Sequence, residues 1–96
     1  MLTSKRRSYL RGQANRLNPI IQVGKDGLNE RLVEQLDAAL SDHELVKSRV
    51  LDSSLIEIKD AANKLAEETN SEVVQTIGNV FILFRRNEEE PQYILP

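Results

Sequence analysis

Pro19-Ile20-Ile21-Gln22-Val23-Gly24-Lys25-Asp26-Gly27-Leu28 is the stretch whose reading decides the fold. Its first half is short, β-branched and bounded by proline and glycine, which is the pattern of a strand over Pro19–Val23 rather than of a helical turn. Beyond it, Leu28, Leu32, Val33, Leu36, Ala39 and Leu40 recur at helical spacing, and Asn29 is placed to cap the helix they describe. A strand therefore passes through the short loop Gly24-Lys25-Asp26-Gly27 directly into a helix. Glycines at both ends of that loop allow dihedrals closed to other residues and bring peptide N–H groups near a ligand with no Cβ in the way. Helix N-termini favour anions, so phosphate is the ligand that suits it.

Upstream of this stretch, Thr3 or Ser4 can cap a first helix that runs to about Leu17 before Pro19 stops it. Leu2, Tyr9, Leu10, Ala14 and Leu17 share one side of it. Arg7 and Arg11 lie a turn apart on the polar side, whereas Arg6 falls in the apolar arc and has to snorkel. Downstream, Ser41-Asp42-His43-Glu44 breaks the second helix and Leu45–Leu51 follows as a strand, with Val46, Ser48 and Val50 on one face and Lys47 and Arg49 on the other. Ser54-Leu55-Ile56-Glu57 reads as a capping box, so a third helix is expected to begin there, turn Leu55, Ile58, Ala62 and Leu65 inward, and end near Thr69-Asn70. Val73–Ile77 and Val80–Phe84 flank Gly78-Asn79, a two-residue turn that fits a tight hairpin.

The element order is αβαβαββ. Helix-linked strands favour right-handed parallel crossovers and the final hairpin adds an antiparallel pair, so the expected fold class is α/β, a small mixed four-stranded sheet backed by helices. Residues 1–96 are read as one domain with a short C-terminal tail over about 87–96; Arg85–Pro91 reads as exposed, while Tyr93-Ile94-Leu95 could dock back on the body.

Charge is distributed unevenly. The protein as a whole has a net charge of -2, which is not the profile of a typical nucleic-acid binder. Residues 1–25, however, hold Lys5, Arg6, Arg7, Arg11, Arg16 and Lys25 without a single acid, while residues 26–96 carry seven basic and fifteen acidic residues. Such asymmetry points to one face for a polyanion and a remainder that repels it. A G-x-x-G loop that clamps nucleotide backbone is a device of KH-type RNA-binding modules, so RNA is a ligand consistent with both features. Only four aromatic residues, Tyr9, Phe81, Phe84 and Tyr93, are present, which argues for shape and phosphate readout over extensive base stacking.

Catalysis has little to work with. His43 is the only histidine and lies in a polar turn, cysteine is absent, and neither a Walker A sequence nor G-x-G-x-x-G occurs. Glu67-Glu68 and Glu88–Glu90 fall at a helix end and in the tail, where carboxylates solubilise. No metal-ligand spacing and no cofactor motif is visible, so none of either is expected. No secretory signal or membrane-length apolar run is read, and a cytoplasmic location is the default expectation. Glu30, Glu34 and Asp37 line one side of the second helix, leaving open a different reading in which an acidic face docks basic ribosomal proteins.

Leu2-Thr3, Tyr9-Leu10-Arg11, Leu17-Asn18-Pro19 leading into Val23-Gly24-Lys25-Asp26-Gly27-Leu28, Glu44-Leu45-Val46-Lys47, Ile77-Gly78 and Leu83-Phe84-Arg85 together closely resemble the YhbY family, small bacterial proteins made of one CRM domain. The resemblance extends over essentially the full length, and its most specific piece is the V-G-K-x-G-L block. It implies an αβαβαββ fold similar to the C-terminal domain of bacterial translation initiation factor three, and RNA binding during assembly of the large ribosomal subunit. The expected partner is thus ribosomal RNA in large-subunit precursors, bound by a monomer, with neither DNA nor membrane involved. The residues expected to contact RNA are Gly24, Lys25, Asp26 and Gly27, with Lys5, Arg7, Arg11, Arg16, Lys47, Arg49 and Arg85 as the wider cationic surface. Departures from the family pattern are Asn15 in place of a common His, Asn29 in place of a capping Thr, and Thr69-Asn70-Ser71 in place of Thr-Gly-Ala.

Overall fold

The computed structural model of the protein describes residues 2–96. Helix α1 (Ser4–Ala14), strand β1 (Ile21–Val23), helix α2 (Glu30–His43), strand β2 (Leu45–Val50), helix α3 (Ile58–Thr69) and strands β3 (Glu72–Ile77) and β4 (Val80–Phe84) follow in the expected order. The four strands form one mixed sheet, β1-β2-β4-β3. The β1–β2 pair is parallel, whereas β2–β4 and β3–β4 are antiparallel. Gly78, at φ +58°, supplies the hairpin turn that joins β3 to β4.

Both faces of the sheet are covered, each by a different apolar cluster. Leu32, Leu36 and Leu40 of α2 and Ala61, Ala62 and Leu65 of α3 pack with Ile21, Val23, Val46, Val50, Phe81 and Leu83 on one face. On the other, α1 lays Leu10 and Ala14 over Leu45, Val74, Ile82 and Phe84. Ser48 is the misfit of the first layer: it is fully buried and, among the described residues, its hydroxyl has no hydrogen-bond partner.

Each helix boundary has a local cause. Thr3 caps α1, its Oγ1 accepting the Arg6 N–H at 3.1 Å. That helix stops at Ala14, three residues short of the expected Leu17, and the backbone leaves it through i→i+3 bonds from Arg16 to Gln13 and from Leu17 to Ala14. Pro19 disfavours helical dihedrals at Asn18, so the exit must be complete before it. Proline also has no N–H for the ladder, and pairing starts where Ile20 N–H donates to the Lys47 carbonyl at 3.0 Å. Asn29 caps α2 by accepting the Leu32 N–H at 2.8 Å. The start of α3 differs from the capping box read in the sequence. Glu57 is the cap, accepting the Asp60 N–H, while Ser54 Oγ takes the Ile56 N–H in a preceding turn. Leu55 is fully exposed rather than turned inward. The reason is distance: Leu51 N–H still pairs with the Val23 carbonyl, so the residues after it are needed to carry the backbone from the sheet to the helix layer. Asn70 ends α3 in the left-handed conformation, φ 54°, which asparagine tolerates better than most residues.

Helix α2 runs through Ser41–His43, beyond its expected end, and is stopped by Glu44 at φ 64°, ψ −48°. A non-glycine residue in that region stores strain of about 1–3 kcal/mol and persists only when its surroundings fix it. Here they do. The Glu44 side chain is completely buried, and its carboxylate accepts the backbone N–H groups of Asn87 (2.6 Å), Gln92 (2.5 Å) and Tyr93 (3.1 Å). The C-terminal segment is thereby strapped to the body through its backbone, while the side chains over 88–92 stay exposed as expected and, of Tyr93-Ile94-Leu95, only Ile94 remains in solvent. Tyr93 and Leu95 pack on the α1 layer, Tyr93 meets Phe84 edge to face at 6.5 Å, and Arg6 Nε donates to the Pro96 carbonyl. Burial, then the neighbouring Glu44 carboxylate and Tyr9, raise the Tyr93 phenol above its ordinary value of 10.0, so it stays protonated.

Candidate nucleic-acid interface

The glycine loop closes as a turn. Gly27 N–H donates to the Gly24 carbonyl at 3.0 Å, and Gly27 sits at φ +68°, where a side chain is strained. That bond removes the Gly27 amide from the donors open to a ligand and leaves the tip, Lys25 and Asp26, exposed. Gly24 is different. Its φ is not in the left-handed region, and a Cβ placed there would meet only Leu51 Cδ1, at an ordinary 3.9 Å. The backbone favours glycine at 27 and has no such preference at 24. The loop opens on a small cleft of about 160 Å³ with Gln22, Arg31 and Gln35 on its walls. Helix geometry leaves the first-turn amides of α2 without intrahelical partners. Arg31, in that first turn, adds a second cation opposite Lys25.

Strand register extends this site. Gln22 is paired with Arg49 across β1 and β2, so both side chains stand on the same sheet face, with Lys47 two residues back along β2. Arg49 is exposed and Lys47 half-buried. Lys47 then joins Arg16 and His43 around a larger cleft of about 390 Å³, where the α1–β1 connection meets the start of β2 and the C-terminal strap. Arg16, then Lys47 and Arg49 on β2 beside the edge strand β1, then Lys25 and Arg31 at the loop therefore follow one another in the strand direction.

The remaining expected cations lie elsewhere because α1 crosses the sheet. It enters at the β3 edge, where the Leu2 amide donates to Glu72 Oε1 and Arg7 Nε donates to the Val73 carbonyl at 3.3 Å, and it leaves toward β1. Lys5 is exposed at the entering end, Arg7 is tied to β3 through its Nε, and Arg11 is exposed on the last turn. Arg85 is fully engaged. Its guanidinium contacts Asp37 Oδ1 (2.6 Å), the carbonyls of Asp37 and Thr69 (2.8 and 2.9 Å) and Ser41 Oγ (2.9 Å), tying α2 to the end of α3. It also follows Phe84, which pairs with Leu45 at the start of β2, whereas the glycine loop follows Val23, which pairs with Val50 at its end. Arg85 and the loop are at opposite ends of the sheet.

Of the acidic residues on α2, Asp37 is held by Arg85. Glu30 and Glu34 instead flank a groove of about 480 Å³ between α2 and α3, with Glu68 and Lys64 opposite and Leu28, Val33 and Leu65 beneath. Among the described residues no group of acidic, histidine or cysteine side chains is arranged to hold a metal, and no helix is long and apolar enough to cross a membrane. Arg31 and Gln22 were not singled out by sequence reasoning. Arg31 carried a signal, since a cation in the first turn after a glycine loop faces whatever that loop binds; Gln22 carried none before the register was known.

Comparison with known proteins agrees with this architecture. The CRS1 / YhbY (CRM) domain pattern matches residues 2–85. The Bacillus subtilis protein named Probable RNA-binding protein YqeI is 41% identical over 96 residues, with both proteins covered in full. A Haemophilus influenzae protein named RNA-binding protein is 35% identical, covering 92% of this chain and 89% of its own. The solution structure of the hypothetical protein SAV1595 from Staphylococcus aureus superposes with a TM-score of 0.85 at 41% identity, over the full length of both proteins. The chain belongs to the CRS1/YhbY family of CRM-domain proteins.

Proposed function

We propose that this protein binds RNA without catalysing a reaction on it, holding the sugar–phosphate backbone along the β1 edge of its sheet. The observation that carries this reading is the line of cations Arg16, Lys47, Arg49, Lys25 and Arg31 beside the glycine loop, on a protein whose overall charge is -2. Peptide groups at the tip of the loop and at the start of α2 meet one or two phosphates, and the side chains of the line neutralise those that follow. Gly24 admits the backbone of the ligand and Lys25 provides the nearest point charge, beside an exposed Asp26 that lines the same cleft. Arg11 extends the field, while Lys5, Arg7 and Arg85 fall outside the contact. The names of the relatives support RNA as the ligand.

The finer reading is that a monomer, a single CRM domain spanning residues 1–96, acts in the cytoplasm on ribosomal RNA in precursors of the large subunit. Four to six phosphate contacts give a log–log salt slope of about -3 to -4 for single-stranded RNA. A slope near zero refutes phosphate recognition. Cosedimentation with large-subunit precursors on a gradient supports the ribosomal role, and confinement to the free fraction at low as well as moderate salt refutes it. A second reading, docking of basic ribosomal proteins, draws on the groove flanked by Glu30, Glu34 and Glu68; it gains if that flat slope is found.

A further inference from the structure

The cleft of about 390 Å³ at the far end of the cation line differs in kind from the glycine loop. Its walls combine Arg16, Lys47 and His43 with the apolar side chains of Leu17 and Ile20 and the ring-bearing Tyr93, and no carboxylate side chain lines it. Ile20 is 54% exposed, an aliphatic residue left open beside two cations. One wall is fixed in advance: the Gln92 and Tyr93 amides are both held by Glu44 Oε1, and Gln92 Nε2 donates to the Asp42 carbonyl. The opposite wall is fixed by Ile20 N–H on the Lys47 carbonyl. A preformed pocket with an apolar surface and a cationic rim suits a planar heterocycle attached to a phosphate. Its size is within the range of small-ligand sites.

We infer that this cleft is a subsite for a single unpaired nucleotide of the bound RNA. The base lies against Leu17 and Ile20, and its 5′- or 3′-phosphate lies between Arg16 and Lys47. The inference rests on the RNA reading above and deepens it, because the pocket is continuous with the phosphate line. Lys47 belongs to both, Arg49 and Gln22 come next, and Gly24 lies four residue steps of extended backbone beyond Ile20, about 13 Å. An RNA strand whose phosphates follow β1 from the loop reaches the pocket after a few nucleotides. The loop then supplies affinity independent of sequence, and the pocket supplies contact with one base.

The test measures binding of the full-length protein, at one salt concentration, to decauridylate, to deca-adenylate and to a sugar–phosphate decamer without bases. The base-bearing decamers are expected to bind about tenfold more tightly than the abasic one. Ile20→Ser, an exposed and charge-neutral change, is expected to erase that advantage while leaving the salt slope unaltered. Free uridine monophosphate serves as the arm for an unlinked nucleotide. It is expected to shift the backbone amide resonances of Ile20 and Tyr93 only at concentrations far above those at which decauridylate saturates; saturation at lower concentration than the decamer would overturn the assignment to an RNA strand. If the abasic decamer binds as tightly as decauridylate and Lys25→Asp still weakens both, the RNA reading stands and the base subsite is refuted. If no decamer binds, both fall together.

Discussion

The two ends of the sheet use charge in opposite ways. At the start of β2 and the end of β4, Glu44 and Arg85 are drawn into the fold: the Glu44 carboxylate gathers three backbone amides from the strap, and the Arg85 guanidinium gathers two carbonyls, a hydroxyl and Asp37. At the opposite end, the side chains of Lys25 and Arg49 are exposed and have no hydrogen bond or ion pair among the described residues. A charge that the fold consumes cannot serve a ligand without unfolding something, whereas one it leaves in water is free to do so. Sign and position in the sequence do not separate the two classes. Hydrogen-bond accounting does.

The sharpest way to break this contrast is at Glu44. Glu44→Ala strands three amides that its carboxylate satisfied and keeps the unfavourable φ, so a loss of about 3 kcal/mol or more is expected, read by denaturant unfolding. The strap should detach in the same variant, exposing Tyr93 and Leu95 and opening the segment that follows Phe84 to proteolysis. A variant that unfolds like the parent would show that the strap is incidental to the fold. Arg85→Ala is the weaker counterpart. Its side chain is 22% exposed and its Asp37 partner 59%, so screening discounts the ion pair and the two carbonyl bonds carry most of the effect. A loss of about 2 kcal/mol is expected, with RNA affinity unchanged. Weakened RNA binding in a variant that remains folded would move Arg85 from the first class to the second.

These two positions also mark where the sequence stops being readable. Helix α2 was legible because its signals are local: Asn29 caps it, and Leu32, Leu36 and Leu40 line one side. The hairpin was legible because Gly78-Asn79 lies between two apolar runs. The strap was legible only in part: apolar Tyr93-Ile94-Leu95 allowed docking, but its anchor is made by backbone amides 43 to 49 residues away from Glu44, and an amide leaves no mark on composition. At the start of α3 a local signal misled: Ser54 and Glu57 satisfy the capping-box pattern, yet β2 pairing through Leu51 postpones the helix. The site divides in the same manner. The glycine loop is contiguous and was visible as such, while the choice among the cations depended on the course of α1 across the sheet, which sends Arg16 to the β1 edge and Arg7 to β3.

Lys25→Asp tests the open end. The residue is exposed on a turn, and such substitutions usually alter stability by no more than about 0.5 kcal/mol. At the proposed point of closest approach it removes a cation and places two anions side by side with Asp26, so RNA affinity is expected to fall at least about tenfold, or 1.4 kcal/mol. Glu89→Lys, a charge change in the strap, is the control and should bind as the parent does. Parental affinity and parental melting in Lys25→Asp together would reduce the glycine loop to a structural turn.

The smallest effects separate the two glycines of that loop, and they divide folding from binding within a span of four residues. Gly27→Ala forces a side chain into φ +68° and is expected to cost about 1 kcal/mol of stability. Its amide is already committed to Gly24, so any loss of RNA affinity should follow only from displacement of the turn. Gly24→Ala places its methyl group at an ordinary 3.9 Å from Leu51 Cδ1 and reduces the freedom of the unfolded state, so stability should be unchanged or higher by about 0.5 kcal/mol. If glycine is kept at 24 so that a phosphate can come close to the backbone, the same methyl group should weaken RNA binding in a protein that is no less stable. Thermal melting and RNA titration of the two variants under one buffer make the comparison. Equal melting temperatures with undiminished binding in Gly24→Ala would leave Gly24 without a role in either folding or recognition, and phosphate contact would then rest on Lys25, Arg31 and the sheet-edge cations alone.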